Sequence, residues 1–456
     1  MRKIAEQPIF ISAAIICLCF LLTSTGWLAW EYHLLEQVSS RLSDVMTMVV
    51  GYALQTAGMG VYALLLRRRG AAVNRALPAV LLLHTLCLIP AILGRSLAVT
   101  LLSGFLVNLL CGYIAGYYLF VLTRTVPAPR RGTALGAGYG VSILASWLLS
   151  RLGGGSIYYS NKVWLICLAL TALTVALTQW EQTLCPEDPA PGNKRPAGEN
   201  GAPRALLLSA GALVLLFSVV NNSGFAFSSG DLVKGISVES SRLFYAAGLL
   251  IAGLVSDRDR KYGAVMALFT LVIPFVMLSL RGESVSLTVF WALNYFTYGF
   301  YSVYRMLVFS DLAEKSGALF LSGFGLLMGR LGDAAGEGVC LALSDSLTAL
   351  IFLAALLFMA VMLLFFRLYR PLYLPEGAPQ QSERERFYQF AIQHDLSSRE
   401  QDMLRLLLDR KTNAEIADAL SISENTVKFH VRNLLQKTGC KNRNDLVTAY
   451  FGGAAV

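Results

Sequence analysis

Charged residues are scarce in this sequence: Asp, Glu, Lys and Arg make up 15% of its 456 residues, whereas 55% are hydrophobic. Soluble domains carry about 25% charged residues, so this balance excludes a soluble enzyme with a small regulator attached. Most of the chain is expected to lie in a lipid bilayer. The net charge is +9, and much of it lies in short loops between apolar segments. Basic residues in such loops indicate which side of the membrane a loop faces, so this charge is evidence of topology first and of nucleic-acid binding second.

The sequence also lacks the patterns that carry enzyme chemistry. It has no CxxC pair, no phosphate-binding P-loop, no glycine-rich dinucleotide motif after a strand, and no nucleophile with a plausible base. Six of the eight cysteines lie in apolar segments, which argues against a disulfide framework. His430 has no second His or Cys at ligand spacing, so we interpret it as a packed or capping side chain. We therefore expect no enzyme activity, no metal and no cofactor.

Apolar segments of membrane-spanning length occur about twelve times along the chain. They divide six and six around a stretch rich in proline and glycine, 181–204, which we interpret as a flexible cytoplasmic linker. The predicted segments are 8–30, 45–66, 77–93, 97–122, 133–150, 163–180, 205–223, 243–255, 264–280, 285–309, 318–341 and 347–366. The predicted domains are membrane helices in 1–180 and 205–369, a second linker in 370–395, and a C-terminal domain in 396–456.

Basic residues mark one side of the predicted membrane domain. The runs Arg67–Arg69, Arg130–Arg131 and Arg258–Lys261 all fall in loops on the same face as the N-terminus, and the opposite loops carry fewer. An even number of spans places both chain ends on that face. The positive-inside rule therefore predicts a multi-pass protein of the cell membrane with both termini in the cytoplasm.

The loop after the predicted eighth segment carries Gly253, Asp257, Arg258, Arg260 and Lys261. Together with the six-plus-six layout, it resembles the major facilitator superfamily of transporters, whose loop reads G-x-x-x-D-R-x-G-R-K. The present loop is one glycine short, and the corresponding loop of the first half keeps the basic run but lacks the aspartate. A basic loop with one acid also follows from positive-inside topology alone, so both interpretations stay open.

Three ionisable side chains, Arg330, Asp333 and Glu337, occur inside the predicted eleventh segment. Each is expensive to bury, by roughly 2.5 to 3.5 kcal/mol on insertion scales, and their spacing puts them on one helical face. One arginine leaves one carboxylate unmatched, so a cation, a proton, a basic ligand group or another arginine could complete the set. We predict a ligand-sensing site here. The alternatives are a buried ion-pair cluster that packs the bundle, with glycines allowing close contact, and transport coupling.

The segment 412–437 has the signals of a helix-turn-helix. Thr412 and Glu415 form a capping box that starts a short helix. After a three-residue turn, Ser423 caps a second helix, Glu424–Lys437, whose apolar residues recur at three- and four-residue spacing. The opposite face suits a DNA major groove, because it carries hydrogen-bond donors and a ring, namely Asn425, Lys428, Phe429, Arg432 and Asn433.

Two further helices frame this pair. Ser397 with Glu400 forms a capping box upstream, and Asn442 caps a short helix downstream. The four-helix pattern, with the wording NAEIADALSISENTVKFHVRNLLQK, resembles the DNA-binding domain of the LuxR/FixJ/NarL family. The resemblance implies base contacts by Lys428, Phe429 and Arg432, positions of Asn425, Thr426 and Lys437 near the DNA backbone, and a dimer surface on the final helix.

Two positions depart from the family pattern. Ser398 stands where the family often has proline, and Arg410 where it usually has glycine at the end of the first helix. A left-handed backbone there costs a non-glycine residue about 1 kcal/mol. A small helical module that contacts only proteins is the competing interpretation of this domain.

These patterns predict an all-α protein with a polytopic membrane bundle and a small helix-turn-helix domain. We interpret the chain as a one-component transcription regulator whose membrane domain senses a small molecule or a membrane state. Its expected partners are double-stranded DNA, membrane lipid, a small-molecule ligand, a second copy of the chain and RNA polymerase. The main alternative is a membrane transporter with an autoregulatory DNA-binding tail; a membrane scaffold with a protein-binding tail is the second.

Overall fold

The computed structural model describes residues 2–152, 160–184, 204–222, 238–273, 275–276, 284–373 and 383–452. Within these ranges the chain is helical and contains no strand, as the sequence predicts. It divides after Tyr373 into two compact units, a helical bundle and a small C-terminal unit. Most of the first predicted linker (185–203) and the first part of the second (374–382) lie outside the described residues. The predicted domain boundaries stay a prediction.

The first half of the bundle begins with the long helix that contains the predicted first span. Its helices are α1 (Arg2–Leu35), α2 (Ser40–Asp44), α3 (Tyr52–Arg69), α4 (Leu77–Leu93), α5 (Leu97–Thr125), α6 (Ala128–Leu152) and α7 (Val163–Leu184). A π-helical segment, Val45–Gly51, joins α2 to α3, and Ser39 caps α2 by accepting a hydrogen bond from Leu42 N. Gly70 ends α3 at φ +62°, a backbone conformation that glycine adopts freely.

The second half contains α8 (Arg204–Asn222), α9 (Val238–Arg258), α10 (Arg260–Phe269), α11 (Ser284–Ser316), α12 (Phe324–Ala342) and α13 (Leu347–Tyr373). Several helices differ at their ends from the predicted apolar segments, and two of these differences lie between 284 and 342. The helix predicted to end at 309 continues to Ser316, and the one predicted to begin at 318 begins at Phe324 after a 3₁₀ turn. Residues 277–280 of the predicted ninth segment lie outside the described part of the chain.

The surface of the bundle is apolar. Large hydrophobic side chains stand outward, with Leu102 and Leu363 each 71% exposed and Phe352 66% exposed. Within the described ranges, seven helices are long and apolar enough to cross a membrane, judged by length and composition. One of these is the continuous run Ser40–Leu93, which contains two of the predicted segments. An apolar surface of this extent is stable in lipid and unfavourable in water, so the unit is that of a membrane protein.

The two halves of the bundle meet through helices whose backbones approach each other closely. α6 of the first half packs along α9 of the second, and α3 and α5 contact α12 and α11. A Cβ atom on Gly253 of α9 would lie only 2.3 Å from the carbonyl oxygen of Gly132 on α6. Small residues at such crossings let membrane helices approach closely, so this contact holds the halves together on one side of the bundle.

The C-terminal unit has five helices around its own apolar core. They are α14 (Glu383–Gln393), α15 (Ser398–Leu408), α16 (Asn413–Leu420), α17 (Glu424–Thr438) and α18 (Arg443–Gly452). Both predicted capping boxes are present, at Ser397 with Glu400 and at Thr412 with Glu415. α14, which the sequence places in the linker, buries Phe387 and Ala391 in the same core.

Arg410 occupies the left-handed position that the departure from the family pattern predicts, with φ +57°. Its amide donates to Leu407 O, and that of Lys411 donates to Leu406 O, which is the Schellman arrangement that ends α15. The Arg410 side chain is exposed. We expect Arg410→Gly to stabilise this unit by about 1 kcal/mol, because glycine adopts this conformation without the Cβ penalty. Chemical denaturation of the separately expressed unit measures this; a loss of stability would contradict it.

Candidate ligand-binding and DNA-binding sites

A charged cluster lies inside the bundle, at the position predicted from the eleventh segment. Asp333 of α12 is 2% exposed, and its Oδ2 accepts a 3.0 Å hydrogen bond from Arg305 Nη1 of α11. Arg330 Nη1 lies 3.5 Å from the same oxygen. The partner of Asp333 is therefore an arginine that sequence reasoning missed. Arg305 lies inside the predicted segment 285–309, so the rule that singled out Arg330 would also have found it.

Glu337 and Asp333 have different hydrogen-bond partners. Its Oε2 accepts a hydrogen bond of 3.2 Å from Asn222 Nδ2 of α8, and the same amide group lies 3.1 Å from the carbonyl oxygen of Asp333. Glu337 is 4% exposed. The structure thus brings Arg330 and Asp333 together and ties Glu337 to another helix. The ligand-binding role of these three residues stays a prediction.

Glycines on α12 make room for this cluster. A Cβ atom on Gly329 would lie 2.9 Å from Cδ and Nη1 of Arg305, so the guanidinium fits only because position 329 has no side chain. Gly332 faces α8 in the same way, where a Cβ would lie 2.3 Å from Leu215 O. These glycines therefore serve two purposes: they allow α12 to pack closely against α8, and they make room for the Arg305 side chain.

A central cavity of about 200 Å³ adjoins the charged cluster and is lined by helices of both halves. Arg330 lies over the Tyr52 ring at 4.3 Å from its centroid, and Arg305 lies 5.1 Å from that of Tyr301. Guanidinium groups over ring faces are held by cation–π attraction. The polar and aromatic lining residues include Trp27, Tyr52, Tyr118, Tyr139, Arg242, Tyr245, Tyr295, Tyr298, Arg305 and Arg330.

A second group of charges joins the two halves at the end of the bundle where the predicted cytoplasmic loops lie. Asp257, from the loop that resembles the transporter motif, accepts hydrogen bonds from Gly132 N at 2.7 Å and Thr133 N at 2.6 Å. These amides belong to the first turns of α6, where a carboxylate also interacts favourably with the helix dipole. Arg260 connects Asp257, at 3.0 Å, to Asp311 of α11, at 2.8 Å.

Arg131 completes this group from the first half. It is 1% exposed, and its Nη1 contacts Glu314 at 2.8 Å and Asp311 at 3.2 Å. We call Arg131, Asp257, Arg260, Asp311 and Glu314 the interhalf network. A groove of about 400 Å³ beside it is also lined by Leu372 and Tyr373, the last two described residues of the bundle.

The side of α17 that carries the predicted DNA-binding residues is largely exposed. On α17, Asn425, Lys428 and Arg432 are exposed, and Phe429 is 61% exposed. Val427 and Leu434 on the opposite side are fully buried. The helix therefore presents donors and one ring together to solvent. Contact of these residues with DNA stays a prediction.

Lys437 and Thr426, which the family resemblance places near the DNA backbone, have hydrogen-bond partners within the C-terminal unit. Lys437 Nζ contacts Glu400 Oε2 at 2.8 Å and Asp395 O at 2.7 Å. The Thr426 hydroxyl lies 2.8 Å from that of Ser423, at the cap of α17. Lys437 thus ties α17 to α15, a structural role that the sequence did not indicate.

The contact between Glu400 and Lys437 predicts an acid-sensitive unit. Burial raises the pKa of Glu400, but the hydrogen bonds from Lys437 and Ser397 outweigh it, and the net shift is downward. A carboxyl whose pKa is lowered by folding stabilises the fold above its unfolded pKa and stops doing so as the pH falls through its folded pKa. We expect unfolding curves of the separately expressed unit to lose stability below about pH 4.5. Lys437→Met should flatten that pH dependence; an unchanged slope would contradict this assignment.

Solved structures with a similar fold are transporters. The human organic anion transporter MFSD10 superposes with a TM-score of 0.59 at 14% identity, over 79% of this chain and 99% of that one. The Escherichia coli fucose:proton symporter FucP gives a TM-score of 0.51 at 13% identity, over 78% of this chain and 99% of that one. These likenesses confirm the predicted major facilitator fold of the bundle. The solved structures that share this fold are transporters and not enzymes.

The C-terminal unit is similar to bacterial regulators. Residues 394–450 match the model of the bacterial regulatory proteins, luxR family. The spore germination protein GerE of Bacillus subtilis is 46% identical over 52 residues, which are 11% of this chain and 70% of that protein. The regulatory protein SdiA of Escherichia coli is also 46% identical over 52 residues, but these are only 22% of SdiA. By its C-terminal unit, the chain belongs to the luxR family of bacterial regulatory proteins.

Proposed function

We propose that this protein is a membrane-bound, one-component transcription regulator. Its bundle crosses the membrane several times with both ends in the cytoplasm, and its C-terminal unit binds specific DNA sequences as a dimer. The observation that carries this proposal is the exposed α17 face with Lys428, Phe429 and Arg432, in a luxR-family unit that shares one chain with a transporter-like bundle. Phe451 on α18, 54% exposed, supplies an apolar side chain for pairing with a second copy.

The bundle acts as the sensor in this proposal. A ligand can shift a two-state equilibrium only through different affinities for the two states, so the bundle needs two conformations. The interhalf network supplies a bond set that one conformation has and the other breaks. Tyr373 lines the groove beside that network and is the last residue of the bundle. When the contacts of the network break, Tyr373 therefore moves, and the chain continues from Tyr373 to the DNA-binding unit.

Genome-wide DNA occupancy of the intact protein in its own cells tests this function. We expect discrete peaks for the native protein and their loss in the double variant Lys428→Ala, Arg432→Ala, since each base contact contributes about 1 to 3 kcal/mol. The control, Arg399→Ala with Arg410→Ala, removes the same charge from exposed positions outside α17 and should keep the peaks. Absence of native peaks under several growth conditions, with the protein confirmed in the membrane, would refute the proposal.

A transporter with an autoregulatory tail is the second candidate. The likeness of the bundle to transporters over their full length favours it, as does the buried pair of Asp333 with Arg305. Membrane vesicles that accumulate a labelled solute, and stop doing so with Asp333→Asn, would support this function. A sensor without transport would show no such uptake, although the DNA occupancy described above would persist.

A further inference from the structure

We propose that the central cavity binds an organic anion: a small molecule that carries one carboxylate, sulfonate or phosphate group on an aromatic or apolar body. This inference rests on the proposed function, in which the bundle is the sensor, and it names the class of compound that is sensed. Three features of the cavity wall carry it: the sign of its charges, the kind of hydrogen-bonding groups it offers, and its rings.

The charged side chains that line the central cavity are all basic among the described residues. Arg242 comes from α9, Arg305 from α11 and Arg330 from α12. Neither Asp333 nor Glu337 is among the residues that line the cavity. The same holds for Glu31, which interacts electrostatically with Arg242. A ligand inside the cavity therefore meets guanidinium groups first.

The arginines of the cluster are incompletely compensated by Asp333. Arg305 and Arg330 share one oxygen of this carboxylate, at 3.0 Å and 3.5 Å. A guanidinium offers five N–H donors, so donors remain for a ligand. Arg305 is 3% exposed, and its Nε has no hydrogen-bond partner in the described part of the chain. A buried donor without an acceptor is costly, and an anion that supplies acceptors relieves that cost.

A tryptophan adds to the excess of donors. Trp27 Nε1 is buried without a partner among the described residues, and Trp27 lines the same cavity. Indole is a donor only and cannot accept a hydrogen bond. A cationic ligand would bring like charge to the arginines and would offer no acceptor to Trp27. A wall of this kind selects an acceptor-rich group with negative charge.

The rest of the wall fits a compact aromatic or apolar body. Tyr52, Tyr298 and Trp27 present rings, and Phe20, Leu28, Met59, Ile143 and Leu326 present apolar surface. At about 200 Å³, the cavity has room for a small molecule. An inorganic anion would leave this apolar surface without contacts. The geometry therefore points to an amphipathic anion.

Isothermal titration of the full-length protein in nanodiscs tests the inference with probes that differ mainly in charge. The anions are naphthalene-2-carboxylate, naphthalene-2-sulfonate and 2-naphthyl phosphate; the neutral and cationic partners are 2-naphthamide and 2-naphthylmethylammonium. We expect at least one anion to bind about tenfold or more tightly than the amide, and the ammonium not to bind, because a charge-assisted hydrogen bond contributes about twice as much as a neutral one.

Variants locate the binding site. Arg330→Gln should weaken binding of the anion about tenfold and leave the amide unchanged, since it removes the charge whose contact with Asp333 is the longer one. Arg242→Gln, on another helix, gives the same test if Arg330→Gln does not fold. Arg151→Gln is the control: this exposed arginine lies over Trp147 and does not line the cavity.

Three results would overturn the inference: equal or tighter binding of the amide or the ammonium, anion binding that survives both cavity variants, or no binding of any anion at about 1 mM. None of these outcomes depends on DNA. The proposed function fails by a different result, the absence of DNA occupancy by the native protein. The two failures are therefore distinguishable.

Discussion

Asp333→Ala is expected to destabilise the bundle by about 3 to 5 kcal/mol, because it leaves the buried guanidinium of Arg305 without its carboxylate. Arg305 is 3% exposed and comes from a neighbouring helix, so its guanidinium has little hydration to replace the lost carboxylate. Arg330 lies 3.5 Å from the same carboxylate and loses its contact too. Two positive charges would then face each other across the site from which the negative charge was removed.

The measurement is the unfolding of full-length protein in mixed micelles, followed by tryptophan fluorescence. The double variant Arg305→Met, Asp333→Leu should recover most of the loss, since replacing both members of a buried pair by apolar residues is often close to neutral. Asp345→Ala removes an exposed acid from the turn after α12 and serves as the matched control. A double variant no more stable than Asp333→Ala would contradict the pairing.

The second large effect is expected at the interhalf network. Arg131→Ala removes contacts with Asp311 and Glu314 of the opposite half, together with hydrogen bonds of 2.9 Å to the carbonyl oxygens of Thr123 and Val126. Charge-assisted bonds contribute about 1.5 to 3 kcal/mol, so one such loss shifts the equilibrium between conformations about 10- to 150-fold. We expect the halves to separate at the end of the bundle where α6 begins.

Pulsed EPR distances between spin labels at Pro129→Cys and Lys315→Cys, in a background without native cysteines, measure this separation. These exposed positions lie on α6 and α11, on opposite halves of the bundle. Asp257→Asn should shift the distance in the same direction, because it weakens the acceptor for two α6 amides. Lys261→Ala is the control, since its 3.9 Å contact with Asp259 joins two residues at the start of α10, within one half of the bundle. An unchanged distance in both network variants would show that these bonds do not hold the halves together.

The network also explains why α11 extends beyond the predicted apolar segment 285–309. The helix predicted to stop at 309 continues to Ser316, because Asp311 and Glu314 have basic partners from the other half of the fold. Hydropathy ends a segment where charged residues begin. It contains no information about which charges will be neutralised by a distant loop.

The C-terminal unit was predictable from its residues almost completely. Its caps, turn and apolar stripe are local signals, since each acts within about four residues along the chain. Even the unfavourable backbone at Arg410 followed from comparison with the family pattern, and the structure places that residue at φ +57°. The contact of Lys437 with Glu400 was not predictable in this way, because it joins residues far apart in sequence.

The amino-acid sequence by itself determined the helical class, the apolar segments, the helix-turn-helix and the buried acids on α12, because helix periodicity and burial cost are written in neighbouring residues. Only the tertiary structure decided which groups meet. Arg305 pairs with Asp333, Asn222 with Glu337, and Asp257 with the first turns of α6. These contacts cross between helices whose relative position depends on the packing of the whole bundle. Its central cavity, lined by Arg242, Arg305 and Arg330, exists only once that packing is complete.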